Sequence, residues 1–121
     1  MLGEVGMAVH APEIHQKAFE NSYGVVFLFE DDKLIGMGRS VSDGAYEASL
    51  YDIAVLPSRQ GEALGRCIVE TLMEELDGLN VILFASPGKQ GFYHKFGFKD
   101  LKTGVIRFVN EGEMREIGFI D

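Results

Sequence analysis

Between Gly61 and Asp77 the apolar residues keep a four-residue rhythm: Leu64, Ile68, Leu72 and Leu76, with Val69 and Met73 beside them. That stripe is the buried face of an amphipathic helix. Upstream lie three runs rich in β-branched and aromatic residues. Downstream comes VILFA, residues 81–85, apolar throughout and expected as a central strand. A helix set between strands implies a parallel crossover, with the helix lying on the sheet. No other feature narrows the choice of fold as far.

The runs before the stripe order themselves through their turns. VVFLFE (25–30) is followed by Asp31, Asp32 and Lys33, then by LIGMGRSVS (34–42), which reads as an antiparallel hairpin. Asp43 and Gly44 give a second turn, leading into YEASLYDIAVL (46–56), which Pro57 closes. Ahead of this meander, PEIHQKAFENS reads as a short helix, with proline in its first turn and Ile14 and Ala18 on one face. After VILFA, GKQGFYHKF is a second short helix that Gly97 stops, and VIRFV (105–109) is a last strand. The order β-β-β-α-β-α-β describes an α/β (α+β) chain with a mixed sheet and helices packed on it. With 121 residues and neither repeat nor linker, residues 1–121 are expected to form one domain.

Composition removes several function classes. The chain is 46% hydrophobic and 25% charged, as in globular proteins, with no apolar run near the ~20 residues of a membrane helix. MLGEVGMAVH lacks the basic start and apolar stretch of a signal peptide. The one cysteine, Cys67, excludes an internal disulfide; it is expected as a small buried side chain, in a cytoplasmic protein. A net charge of −8 argues against nucleic acid and for a small-molecule or protein partner, a cationic amine among them. His10, His15 and His94 lack the spacing of a metal site, and PGKQG lacks the pattern of a nucleotide P-loop.

The turn before the striped helix carries the first chemical signal. Where a strand gives way to a helix, free N–H groups point outward and make an anion site. Gln60, Gly61, Glu62, Ala63, Leu64, Gly65 and Arg66 occupy that turn. VLPSRQGEALGR resembles the pyrophosphate loop of the GNAT superfamily of acyl-CoA-dependent N-acyltransferases. Gln60 and Gly65 fill its first and last places, and Ala63 departs from its middle glycine. GFYHKFGF (91–98) resembles the superfamily's second signature, at the expected distance.

The resemblance implies a GNAT fold whose fourth and fifth family strands splay apart to admit acetyl-CoA, with the family's first strand and first helix shortened or absent. It implies that backbone amides of residues 60–66 hold the pyrophosphate, and that Ala54 and Val55 present backbone groups to the pantetheine arm. Ser86 stands where many relatives have an asparagine on that arm. Tyr93 is implied as the general acid that protonates the leaving thiolate; the rival reading packs it with Phe92 and Phe96 in an aromatic core. Ala63 fits the loop with helical φ/ψ, and Glu62 fits by pointing away while Arg59 or Arg66 offsets its charge.

Strand alternation puts Ser49, Tyr51, Ile53 and Val55 on one face and Asp52 and Ala54 on the other. Asp52 is a candidate catalytic carboxylate and equally a structural one, bonded to backbone or to Arg39. A base acting through water is the alternative. The expected reaction moves an acetyl group to a primary amine by direct attack. SPGKQGFYHKFGF and YDIAV are similar to segments of glucosamine-phosphate N-acetyltransferases, and arylalkylamine N-acetyltransferases share that level of resemblance. A non-catalytic acyl-CoA sensor and a protein or peptide N-acetyltransferase are the other readings. VVFLFE as an exposed sheet edge points to a homodimer.

Overall fold

The computed structural model describes residues 11–61 and 63–121. The N-terminal segment MLGEVGMAVH with His10, on which the expectation of a shortened or absent first family strand falls, and Glu62 lie outside the described residues. The chain forms two compact units, one ending at Leu83 and one running from Phe84 to Asp121.

In the first unit, α1 (Pro12–Glu20) leads to β1 (Gly24–Glu30), β2 (Lys33–Ser42) and β3 (Glu47–Val55). After a 3-10 turn at Pro57–Arg59 come α2 (Leu64–Glu74) and β4 (Asn80–Ile82). The sheet order is β1-β2-β3-β4, antiparallel except for the parallel β3–β4 pair that the crossover demands. Asp31 and Asp32 form the two-residue hairpin turn with φ of 48° and 66°. That turn needs left-handed φ at both positions, which a short polar side chain tolerates. At the second turn the Asp43 carboxylate accepts N–H groups from Ala45, Tyr46 and Glu47 at 2.7, 2.9 and 3.2 Å. Those backbone bonds, led by the one from Ala45, hold its pKa below 3.8.

The core lies between the sheet and α2, and the stripe behaves as its period requires: Ile68, Val69 and Leu72 are fully buried and Leu76 nearly so. Glycines in the strands let the helix come this close. A Cβ at Gly38 would stand 2.6 Å from Ile68 Cγ2 and 3.2 Å from Leu72 Cδ1, and one at Gly36 would stand 3.1 Å from Ile68 Cδ1. Ser40, on the same face of β2, is buried with its hydroxyl unpaired among the described residues. Cys67 is exposed, contrary to expectation, because its place on α2 lies off the stripe. On the opposite face of the sheet α1 is anchored by Phe19, whose ring stacks on Phe27 at 5.5 Å.

VILFA is a shorter strand than expected, and it is not central. β4 covers Asn80–Ile82 and ends the described sheet, with Ile82 about half exposed. The second unit holds α3 (Gln90–His94) and α4 (Glu111–Glu116). Gly97, at φ +87°, follows the turn that ends α3, as its position predicts. The expected last strand at 105–109 does not form: Val105 and Val109 are fully exposed. A strand needs a partner to satisfy its backbone, and the described residues of this unit include no other. Phe108 packs instead with Phe84 and Phe119, at centroid distances of 5.8 and 5.9 Å. The helix that follows has a cap in plain sight, since Asn110 accepts the Glu113 amide and donates back to its carboxylate.

Candidate functional site

The end of β3 and the start of α2 form one continuous piece of backbone. The β3–β2 ladder runs to Val55, paired with Gly36, whereas the β3–β4 ladder stops after Ser49 and Ile82. β4 ends with that pair, so the segment 50–55 has no strand partner on that side among the described residues. The edge of β3 is open where the resemblance implies a splay, but no second strand of the described residues runs beside it there. At its end the Gln60 side chain folds back, Nε2 donating to the Val55 carbonyl at 3.0 Å. That carbonyl is thereby partly engaged within the protein.

Beyond Gln60 the chain turns twice through left-handed conformations, at Gly61 (φ +88°) and Ala63 (φ +64°, ψ 14°). The second corrects the helical conformation expected of Ala63. Ala63 is the residue before the helix, not part of it, and its carbonyl accepts the Cys67 amide at 3.2 Å. Glycine takes such a conformation without strain; alanine does not. Nor does alanine supply a side-chain cap, and the amides of Leu64, Gly65 and Arg66 enter the helix with no backbone acceptor among the described residues. A turn of this kind, at the positive end of an eleven-residue helix, suits an anion that approaches closely. The nearby arginines have acidic partners of their own. Arg59 pairs with Glu30, and Arg66 with Glu70 at 2.7 Å one turn along α2.

Asp52 sits on a feature that alternation alone cannot predict. The β2–β3 register slips between Met37, paired with Ala54, and Arg39, paired with Tyr51, so that Asp52 and Ile53 together face Gly38. The extra residue is a β-bulge, with Asp52 at φ +56°. Its effect is to move side chains between faces. Ile53 turns toward α2, its Cγ1 3.2 Å from where a Gly38 Cβ would lie. Asp52 joins Tyr51 on the α1 face, correcting the expected assignment. There Arg39 Nε donates to Asp52 Oδ2 at 2.7 Å, and its Nη1 reaches Ser22 Oγ at 3.4 Å. The guanidinium also lies 5.1 Å from the Tyr51 ring centroid and 5.8 Å from that of Phe19.

Ser86 and Tyr93 belong to the second unit. Ser86 is exposed, its carbonyl accepting the Lys89 amide at 2.9 Å and its hydroxyl unbonded among the described residues. Tyr93 is half-buried on α3 within an aromatic cluster, 5.0 Å from Phe92 and 6.0 Å from Phe98 between centroids. Burial raises its pKa above 10.0, so the phenol keeps its proton at neutral pH. Its hydroxyl makes no hydrogen bond among the described residues. The packing reading and the acid reading therefore describe two ends of one side chain, the ring and the hydroxyl. His94 is exposed, with Nε2 2.8 Å from Asp100 Oδ1.

Against known proteins, the family model described as "Acetyltransferase (GNAT) domain" matches residues 21–100. Serotonin N-acetyltransferase 2, chloroplastic, of Oryza sativa is 36% identical over 107 residues, covering 81% of this chain and 52% of its own length. A histone acetyltransferase of Glycine max is 35% identical over 102 residues, 73% of this chain and 44% of its own. The chain thus spans about half the length of these curated relatives. Among solved structures, a Staphylococcus aureus protein described as a probable acetyltransferase superposes with a TM-score of 0.81 at 33% identity, covering 88% of this chain and 86% of its own. Glucosamine-6-phosphate N-acetyltransferase of Arabidopsis thaliana shares the fold, with a TM-score of 0.70 at 21% identity, covering 90% of this chain and 88% of its own.

Proposed function

The chain belongs to the GNAT acetyltransferase family, and we propose that it transfers the acetyl group of acetyl-CoA to a primary amine of a small molecule by direct attack. The observation that carries this reading is the backbone between Val55 and Arg66. A strand loses its parallel neighbour, and a left-handed turn then brings amides without an acceptor among the described residues to the head of a helix. Amides of Gly61, Leu64, Gly65 and Arg66 would hold the pyrophosphate. The unpaired edge of β3 at Ala54 and Val55 would take the amide groups of the arm; for Ser86 the resemblance alone implies a contact to that arm. Glu62 and Ala63 complete the loop.

In the reaction the amine nitrogen forms a bond to the thioester carbonyl carbon and the carbon–sulfur bond breaks. The nitrogen gives up its proton to a base, Asp52 or a water, and the leaving thiolate takes one from Tyr93, which solvent then re-protonates. A phenol kept neutral by burial is suited to that role. Asp52, paired with Arg39, is the carboxylate proposed to receive the amine. An amino sugar and an arylalkylamine are the two acceptor classes carried forward, and a protein or peptide amine is the third.

CoA release is the test. Acetyl-CoA would be offered with glucosamine 6-phosphate, tryptamine, spermidine and a lysine peptide, with binding measured separately by calorimetry. Turnover with any amine supports the enzyme, and the best of the four assigns its class. Tight acetyl-CoA binding with no turnover would favour the sensor instead. We further propose a homodimer in the cytoplasm, supported by β1 at the end of the described sheet, with Phe27 and Phe29 exposed, and by the lone cysteine. Light scattering that gives a monomer at micromolar concentration would remove the dimer.

A further inference from the structure

The geometry points to Arg39 as the positioning residue of the acceptor site, an inference that rests on the acetyltransferase reading and goes into its chemistry. Three observations carry it. The first is the bulge. It holds a non-glycine residue in a left-handed conformation within a strand and places two consecutive side chains, Tyr51 and Asp52, on one face. Backbone of this kind persists only where its surroundings hold it.

The second is how the pair is shared out. Arg39 and Asp52 are 17% and 25% exposed, so neither is a freely solvated surface charge. Arg39 Nε takes one carboxylate oxygen, Oδ2. The other, Oδ1, makes no hydrogen bond among the described residues, yet it is not sealed in the core. A half-buried carboxylate with one oxygen fixed and one open has a defined direction in which to receive an N–H. An amine acceptor supplies that group.

The third is the clamp on Arg39 itself. Its guanidinium lies near the rings of Phe19 and Tyr51 and reaches Ser22 Oγ, which in turn donates to the Ala18 carbonyl at 2.8 Å. Arg39 thus ties α1, β2 and β3 together at the carboxylate. Its planar fork fixes the orientation of Asp52, which a lone carboxylate on a strand would not keep. Arg39 acts through Asp52 and need not touch the acceptor.

The test is a double-mutant cycle read as steady-state kinetics, with tryptamine, glucosamine 6-phosphate and spermidine as acceptors. Arg39→Gln is expected to raise the KM for the amine about tenfold and to leave the KM for acetyl-CoA within about twofold. In an Asp52→Asn background the same change is expected to have no further effect. Arg39→Lys, which keeps the charge but not the planar fork, is expected to recover only a small part of the loss. Should the Gln variant fail to fold, Arg39→Met keeps the stem between the two rings and takes its place in the cycle. An equal loss in both backgrounds would overturn the inference, since Arg39 would then act independently of Asp52. So would an active wild type whose Arg39 variants keep their amine KM, and that outcome would leave the acetyltransferase reading intact. A wild-type protein that binds acetyl-CoA but releases no CoA with any of the three amines overturns both.

Discussion

Replacing Ala63 with glycine should make the protein more stable, the reverse of the same change inside a helix. At φ +64° and ψ 14° the alanine Cβ crowds the backbone, a cost of roughly 1–2 kcal/mol for an L-residue in that region. Glycine removes this cost but gives the unfolded chain more freedom, which returns about 0.4–1 kcal/mol. The balance is a stabilisation of about 0.7 kcal/mol. For 121 residues the unfolding entropy at the midpoint is about 0.25 kcal/mol/K, so the expected rise in Tm is about 3 °C. Thermal unfolding followed by circular dichroism resolves a shift of that size. Ala18→Gly, in the right-handed helix α1, is the control and should lower stability by up to about 1 kcal/mol. If both variants lose stability alike, Ala63 is not left-handed and the reasoning fails. Repeating the scan with acetyl-CoA adds a second readout: an unstrained turn should bind at least as tightly as the native one.

Gly38→Ala should do the reverse, because its Cβ would stand 2.6 Å from Ile68 Cγ2; overpacking of this kind costs about 1–3 kcal/mol, and a Tm within a degree of wild type would show that α2 can lift. Tyr93→Phe is expected to lower kcat roughly a hundredfold, with acetyl-CoA affinity unchanged, and unaltered turnover would remove Tyr93 as the acid. The same variant should remove a tyrosine ionisation above pH 10.0 from an alkaline titration of phenolate absorbance. Because folding raises this pKa, its stabilising effect is present below pH 10.0 and fades as the pH climbs through the folded value. Asp43 works in the opposite sense. Its pKa is lowered by folding, so its contribution is present above pH 3.8 and is lost as the pH falls through the folded value. Asp43→Asn should therefore melt below wild type at pH 6, and the gap should close in acid; a gap independent of pH would contradict the assignment.

What the sequence made legible was whatever repeats. The stripe from Leu64 to Leu76 found α2, and the polar breaks at Asp31–Asp32 and Asp43–Gly44 found the meander, because burial writes itself into spacing. Val105–Val109 misled for the same reason. β-branched residues record what a chain can do beside a partner, not whether a partner is there. The cap at Asn110 and Glu113 was readable from residue type alone and would have found α4. Asp52 was assigned to the wrong face because a bulge has no period; it exists only in the pairing of two strands. Ala63 was misread because φ is a property of the path the chain must take, and here a residue unsuited to that path occupies it.

The bulge at Asp52 has a consequence for the whole tail of β3. Before it, the even-numbered Ala48 and Leu50 are buried, opposite Ser42 and Ser40. After it, the odd-numbered Ile53 and Val55 lie on the α2 side, opposite Gly38 and Gly36. One inserted residue thus inverts the strand's parity at midpoint. The segment that leads into the CoA loop is therefore read in a different frame from the segment that enters from the Asp43 turn. Deleting Asp52 would leave Ile53 alone opposite Gly38 and keep Ala54 against Met37 and Val55 against Gly36, removing the bulge and its carboxylate while the tail of the strand holds its place. The reading frame of the site is set at that one position.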